Sequence, residues 1–401
     1  MKKLLILWLG LLLSAPASRA QMLLGQPAPN FHFDTVLNGP QPSLTLAQLR
    51  GKVVLLEFWG TFCGPCLTAM PHLQELQRQF AGQLQVVAIS ADSPARLGRY
   101  LQARPSNLLF AAVSGATQDS LQQFFSYRII PHSVLLDATG RIVASTSPEH
   151  ITPQVLNHVI KGQEINLPLK QDVMGQNPIA TYFPATAATP PRFLMQPALR
   201  GVGGMTRTYP QDSSAFHNRR LTALNITLPE LYRLAYGGLS SGRTLDLRPA
   251  APAGTKSLPY CLDIIVPKGQ EATLLPTLRQ ELAARFDLRA TLEPHTKQVY
   301  VLRVADASKL PPATNSQQPG SAAASAGTYQ GENVTLAEVA DYLEDFGLVK
   351  LPVLLAAPAT AYYNLEFEYQ PEKPGDLLRA LADLGLTLEK AERPVEMLVL
   401  R

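Results

Sequence analysis

Val53-Val54-Leu55-Leu56-Glu57-Phe58-Trp59-Gly60-Thr61-Phe62-Cys63-Gly64-Pro65-Cys66 begins as an apolar run rich in β-branched and aromatic residues and ends in two cysteines separated by two residues. The run reads as a buried strand, followed by a short turn that delivers the cysteines to the next element. That element is a helix: Leu67, Met70, Leu73, Leu76 and Phe80 recur at spacings of three and four, while Thr68, Gln74, Glu75 and Arg78 face water. Cys63 therefore sits at a helix N-terminus. Unpaired amides and the positive end of the helix dipole there favour a thiolate, by about 0.3–1 kcal/mol at an exposed site and more when partly buried. Lowering a thiol pKa from about 8.5 to about 7 takes roughly 2 kcal/mol, which the dipole can supply together with hydrogen bonds from neighbouring groups. Cys63 is thus the candidate nucleophile. Cys66, one turn further on, can attack a mixed disulfide on Cys63 and release the reduced partner.

The motif Phe58-Trp59-x-x-x-Cys63-Gly64-Pro65-Cys66 resembles that of the periplasmic TlpA/ResA-like thiol-disulfide oxidoreductases of the thioredoxin superfamily. Gly25-Gln26-Pro27-Ala28-Pro29-Asn30-Phe31 resembles the entry of these domains, and Leu46-Ala47-Gln48-Leu49-Arg50-Gly51-Lys52 their lead into the active-site strand. Pro71 matches the proline that kinks the active-site helix, and Ile130-Pro131-His132-Ser133-Val134-Leu135-Leu136-Asp137-Ala138-Thr139-Gly140-Arg141-Ile142 their cis-proline loop, strand and hairpin. The resemblance covers about residues 25–162 and implies an α/β thioredoxin-like domain. It implies a cis Pro131 facing the cysteines, with the Ile130 backbone open to a bound substrate chain. It also puts Glu57, six residues before Cys63, where thioredoxins carry a buried acid that relays the resolving cysteine's proton. Burial should raise the pKa of that carboxyl. Trp59 would floor the site, and His132, next to Pro131, would lie near Cys63, where a cation favours the thiolate. Ala69 departs from the pattern, because cytochrome-maturation reductases of the ResA type usually carry a glutamate there.

At 401 residues, 46% hydrophobic and 16% charged, the chain has the length for two or three domains and the apolar content to bury their cores. A net charge of +4, spread out except at Phe216-His217-Asn218-Arg219-Arg220-Leu221, gives no nucleic-acid signature. Lys2 and Lys3 ahead of an apolar stretch at residues 4–13, with Ser18-Arg19-Ala20 as cleavage positions, reads as a signal peptide cut near Ala20. The stretch is short for a membrane span and nothing later is long enough, so a mature periplasmic or otherwise exported chain is expected. Three cysteines, two of them in the motif, leave neither a disulfide framework nor a second pair for zinc, and no cofactor or metal is expected. Cys261 reads as a small apolar residue at the start of a buried strand.

The domain organisation expected is a signal peptide over 1–20, a thioredoxin-like domain over 21–165 and a linker over 166–214 with one strand near 192–195. An α+β half-domain over 215–308, a disordered linker over 309–327 and a second α+β half-domain over 328–401 follow. The two half-domains are an internal repeat: Asn225-Ile226-Thr227-Leu228-Pro229-Glu230-Leu231 aligns with Asn333-Val334-Thr335-Leu336-Ala337-Glu338-Val339, and each contains a capping box. From about residue 190 this region resembles a domain of unknown function that soil bacteria append to thioredoxin-like and other exported proteins, from which no role transfers.

The reading is a periplasmic thiol-disulfide oxidoreductase, more often a reductase in this family. It would exchange electrons with protein thiols and disulfides and be recharged by an upstream donor such as a membrane thiol-disulfide transporter, with the C-terminal region binding a partner. One rival is a thiol-dependent peroxidase of the redoxin class, although Gly60 stands where the Pro-x-x-x-Thr-x-x-Cys arrangement needs threonine. The other is an envelope binding or sensor protein with a redox-sensing domain.

Overall fold

The structure is a computed structural model. It describes residues 23–401 apart from 171, 173–176, 211–213, 250–257, 314–319, 326, 346–348, 350 and 358–359, and the expected export signal lies outside the described residues. Two units result, one formed by residues up to 97 with 106–174, the other by 98–105 with 175–401.

Up to residue 160 the chain runs β1 (His32–Phe33), β2 (Thr35–Leu37), β3 (Leu44–Thr45), β4 (Val53–Trp59), α1 (Gly64–Gln79), β5 (Leu84–Ser90), α2 (Pro94–Ala103), β6 (Leu109–Ala112), α3 (Gly115–Phe125), β7 (His132–Leu136), β8 (Ile142–Thr146) and α4 (Pro153–Ile160), all in the first unit except the part of α2 from residue 98 on. The main sheet of this unit has the order β2-β6-β5-β4-β7-β8, with β4, β5 and β6 parallel and β7 antiparallel to β4. Parallel neighbours need crossovers, which α1 and α2 supply. β4 is an inner strand with both faces covered, so all seven of its residues are buried. Val54, Leu56 and Phe58 point to a core that includes Phe33, Val87, Ile89, Phe125, Tyr127 and Val134. Glu57, one residue out of phase with that set, points to the opposite face.

In the second unit the element order is α5 (Pro178–Tyr182), β9 (Arg192–Pro197), β10 (Met205–Thr208), β11 (Arg220–Thr227), α6 (Leu228–Ala235), β12 (Thr244–Asp246), β13 (Pro259–Ile265), α7 (Leu274–Arg285), β14 (Ala290–Val304), β15 (Ser321–Ser325), β16 (Thr328–Thr335), α8 (Leu336–Asp345), β17 (Val353–Leu355), β18 (Tyr362–Glu368), α9 (Asp376–Asp383) and β19 (Leu386–Leu400). It is α+β, built on three sheets: β10-β11-β13-β9, β12-β19-β14-β17 and β15-β16-β18.

The series β11-α6-β12-β13-α7-β14 has the same order as β16-α8-β17-β18-α9-β19. Both first strands carry a bulge, at Ala223/Ile226 and at Gly331/Val334, where an asparagine adopts a left-handed conformation: Asn225 at φ 50° and Asn333 at φ 55°. The bulged amide of Asn225 donates to Cys261 Sγ (3.2 Å) and that of Asn333 to Asn364 Oδ1 (2.9 Å), so buried Cys261 has a hydrogen-bonding role in the strand it was expected to occupy. At Thr227/Glu230 and Thr335/Glu338 the glutamate accepts from the threonine amide, at 2.9 and 2.6 Å. The last strands, β14 and β19, pair antiparallel along their whole length, from Ala290↔Leu400 to Val304↔Leu386. β12 pairs with β19 and β17 with β14, so each series contributes a strand beside the other's last one.

Two linker expectations are corrected. Residues 166–214 include, besides β9 where one strand was expected, α5 and β10, with β9 and β10 forming the edges of a sheet, and residues 309–327 include β15, paired antiparallel to β16. Proline and small residues mask both because edge pairing uses backbone groups, which composition does not report.

Asp263 is fully buried in β13 and pairs with two arginines of the flanking strands. Its Oδ1 accepts from Arg220 Nε (2.8 Å) and Thr222 Oγ1 (2.7 Å), and its Oδ2 from Arg192 Nη2 (2.7 Å). Asp263→Asn leaves the buried Arg220 guanidinium without a counter-charge and is expected to destabilise the second unit by about 3–5 kcal/mol. Chemical denaturation followed by circular dichroism reads this as a lower midpoint for that unit's transition.

Candidate active site

The apolar β4 ends at Trp59, and the turn that follows is pinned by Asp92, whose Oδ2 accepts from the Thr61 amide (2.7 Å). A Cβ at Gly60 would approach the Phe62 ring to 2.7 Å, so a larger residue there would push that ring aside. Phe62 itself is 66% exposed immediately before the cysteines.

Cys63 is the N-cap of α1, with Pro65 in the first turn, where a missing amide costs nothing. Its Sγ accepts from the Cys66 amide (3.2 Å), so a helix-end N–H points at the sulfur. Cys63 and Cys66 are joined in a disulfide with Cα atoms 5.2 Å apart, and both are buried, Cys63 at 8% and Cys66 at 1% exposure.

The Ile130–Pro131 peptide is cis. The pairing of β4 with β7, Phe58↔His132 and Glu57↔Ser133, sets Pro131 beside the Trp59 end of β4, from which the cysteine turn springs. Ile130 and Pro131 are half-buried, and Trp59 is buried with its ring edge-on to Phe110 at 5.5 Å.

Glu57 is 1% exposed. Ser133 Oγ donates to its Oε2 at 2.5 Å, and Oε1 has no partner among the described residues. Burial pushes its carboxyl up to about 8, against the opposing pull of the Ser133 hydrogen bond and the Lys170 charge. The raised value expected from burial is present.

His132 departs from expectation. It is fully buried, stacks on Tyr127 at 5.4 Å and lies 6.0 Å from the Phe58 ring, and burial, with the nearby Lys170 charge, pulls it down to about 3. It is therefore neutral and enclosed, neither a cation beside Cys63 nor a surface for substrate. The cause is strand periodicity: Ser133 takes the Glu57 face, so His132 takes the Phe58 face.

The sequence reading missed four neighbours: Asp92, Phe62, Lys170 and Asp172. Phe62 is legible in hindsight as an aromatic residue in a turn, whereas the other three act through backbone groups distant in sequence.

The sheet order, the helix-capping cysteine and the cis-proline beside it define a thioredoxin-like redox domain. The AhpC/TSA family model matches residues 24–145, and that of a protein of unknown function, DUF3738, matches residues 250–401. Thiol-disulfide oxidoreductase ResA of Halalkalibacterium halodurans is 31% identical over 128 residues, 32% of this chain and 70% of that protein. ResA of Bacillus cereus is 29% identical over 146 residues, 36% of this chain and 82% of that protein. Thioredoxin-like protein YneN of Bacillus subtilis is 42% identical over 79 residues, 20% of this chain and less than half, 45%, of that protein. Among solved structures, the thioredoxin domain of a thiol-disulfide oxidoreductase from Bacteroides vulgatus is 23% identical, with a TM-score of 0.30 over 35% of this chain and 96% of that one. Through its first unit the chain belongs to the ResA family of thiol-disulfide oxidoreductases, fused to a DUF3738 domain.

The Glu57 shift has a consequence for stability. Because the carboxyl is less acidic folded (about 8) than unfolded (4.5), the oxidised native state holds the extra proton between these values, and stability falls as pH rises from 4.5 to 8. At about 1.4 kcal/mol per pKa unit, Glu57→Gln is expected to gain a few kcal/mol over the parent at pH 8 and little at pH 4.5. Urea unfolding of the oxidised protein across that range measures the difference.

Proposed function

We propose that this chain is an exported disulfide reductase that acts on protein substrates through Cys63 and Cys66, with its C-terminal region binding a partner. The observation that carries the reading is the Cys63–Cys66 disulfide at the N-terminus of α1, with a cis-proline on the adjoining strand end.

In the reduced protein the Cys63 thiolate attacks one sulfur of a substrate disulfide, and the other substrate sulfur leaves as a thiolate. The Cys66 thiol then yields its proton to the Glu57 carboxylate. The Cys66 thiolate attacks the Cys63 sulfur of the mixed disulfide, which expels the second substrate thiolate and closes the Cys63–Cys66 bond. Two electrons pass from the dithiol to the substrate, and an upstream dithiol restores the reduced form. The Ile130 backbone, ahead of cis Pro131, would pair with the extended substrate chain, over the Trp59 floor and beside exposed Phe62.

Export is supported by Lys2, Lys3, the apolar residues 4–13 and Ser18-Arg19-Ala20. Among the described residues no helix is long and apolar enough to cross a membrane.

Cys66→Ser is expected to accumulate protein adducts on Cys63 that a reductant releases, and Cys63→Ser none, as read by non-reducing gels and mass spectrometry of extracts from the exported fraction. Peroxide consumption without adducts would replace this reading by the peroxidase one. The absence of both would leave a binding or sensor role.

A further inference from the structure

The stretch that follows α4 does not simply leave the redox domain. Lys170 N–H donates to Ser145 O (2.9 Å) and Thr146 Oγ1 donates to Pro168 O (2.6 Å), so residues 168–170 lie along the edge strand β8. Two residues later Asp172, 6% exposed, accepts from the successive amides of Arg128 (2.7 Å) and Ile129 (2.8 Å) through one oxygen, Oδ2. The Lys170 ammonium donates to the Ile129 carbonyl, lies 3.3 Å from His132 Nδ1 and sits 3.6 Å from Asp172 Oδ1. Three N–H groups thus face three acceptors. With Nδ1 accepting from the ammonium, His132 Nε2 carries the ring proton and donates to Ser145 Oγ (3.1 Å). His132, neutral and enclosed, is in this arrangement part of the seat for the Lys170 ammonium.

We propose that Lys170, seated by Asp172, is a positioning residue of the exchange reaction: it fixes the peptide leading into Pro131 and supplies the positive charge that steadies the Glu57 carboxylate. The inference rests on the reaction described under Proposed function. The charged and titratable groups around the ammonium are Asp172, Glu57, Glu149 and His132; burial draws its pKa down, and the three carboxyl groups oppose this. Glu57 is the carboxylate that must receive the Cys66 proton before resolution, and the Lys170 charge favours its ionised form. Removing that charge makes the carboxylate harder to form, so the resolving step should need a higher pH.

The test uses the full mature chain reacting in its reduced state with glutathione disulfide, with resolution followed by stopped flow across a pH series. Lys170→Gln keeps an N–H for Ile129 and drops the charge. It is expected to move the rising limb of the pH–rate profile to higher pH, with resolution about tenfold slower at neutral pH and converging with the parent at high pH. Lys170→Arg is expected to restore the parent profile. In a Glu57→Gln background, Lys170→Gln is expected to leave the profile where Glu57→Gln alone puts it. Slowing by one constant factor at every pH, or the same shift with and without Glu57, would overturn the proposal and leave Lys170 a merely structural clamp. If Lys170→Gln does not fold, as judged by circular dichroism, infrared titration of the Glu57 carboxyl in Lys170→Arg and in the parent serves instead: midpoints that agree support the charge role, and a midpoint moved by the charge-preserving change overturns it. A parent chain that does not react with the disulfide at all would refute the exchange reaction itself, which separates the two failures.

Discussion

Seven consecutive residues buried on both faces of one strand constrain the rest of the redox domain. In β4 every side chain must be apolar or have its polarity answered, and the one carboxyl, Glu57, is answered by one hydrogen bond from Ser133, its second oxygen having no partner among the described residues. Such a carboxyl holds its proton near neutral pH, and the proton relay proposed for Glu57 draws on that shift. The same strand aims the cysteine turn. Because β4 ends inside the sheet, the chain must turn over its edge, and the next helix begins with Cys63 capping its own first turn.

The cis-proline loop poses the complementary problem of backbone groups bent away from any ladder and needing partners. Here the partners come from beyond the last helix of the domain. The Asp172 carboxylate takes two successive amides and the Lys170 ammonium takes the carbonyl between them and Pro131. A segment that composition marks as a connector thereby becomes part of the architecture beside the active site. His132, enclosed by Tyr127, Phe58, Ser145 and Lys170, belongs to the same support.

The second unit solves a different problem, how two related series of elements bury their faces together. β14 and β19 pair along their full lengths, and β12 and β17 flank them, each beside the other series' last strand. The ion cluster of Asp263 with Arg192 and Arg220 joins β9, β11 and β13 within the first series, and Glu344 of α8 binds Arg243, from the other series, at 2.8 Å. Burial alone would raise the Glu344 carboxyl; the bonds from Arg243, Ser240 and the Val353 amide outweigh it and hold the carboxyl below its usual range.

Local chemistry in the chain was enough to specify β4, the cysteine-capped α1 and the capping boxes of α6 and α8, because periodicity, caps and turns act over a few residues. The resemblance carried by the Cys-Gly-Pro-Cys motif and the Ile130-Pro131 loop pointed to the same domain. Contacts between residues far apart in sequence were decided only by the tertiary structure. Lys170 and Asp172 lie about forty positions from the loop they hold, and no spacing rule connects a lysine to a carbonyl at that range. Proximity to Pro131 suggested a His132 beside Cys63 and the substrate, but pairing with β4 fixed the face its side chain takes, and that face is the aromatic core. The edge strands β10 and β15 were likewise hidden, since what makes them strands is the neighbour's backbone and not their own side chains.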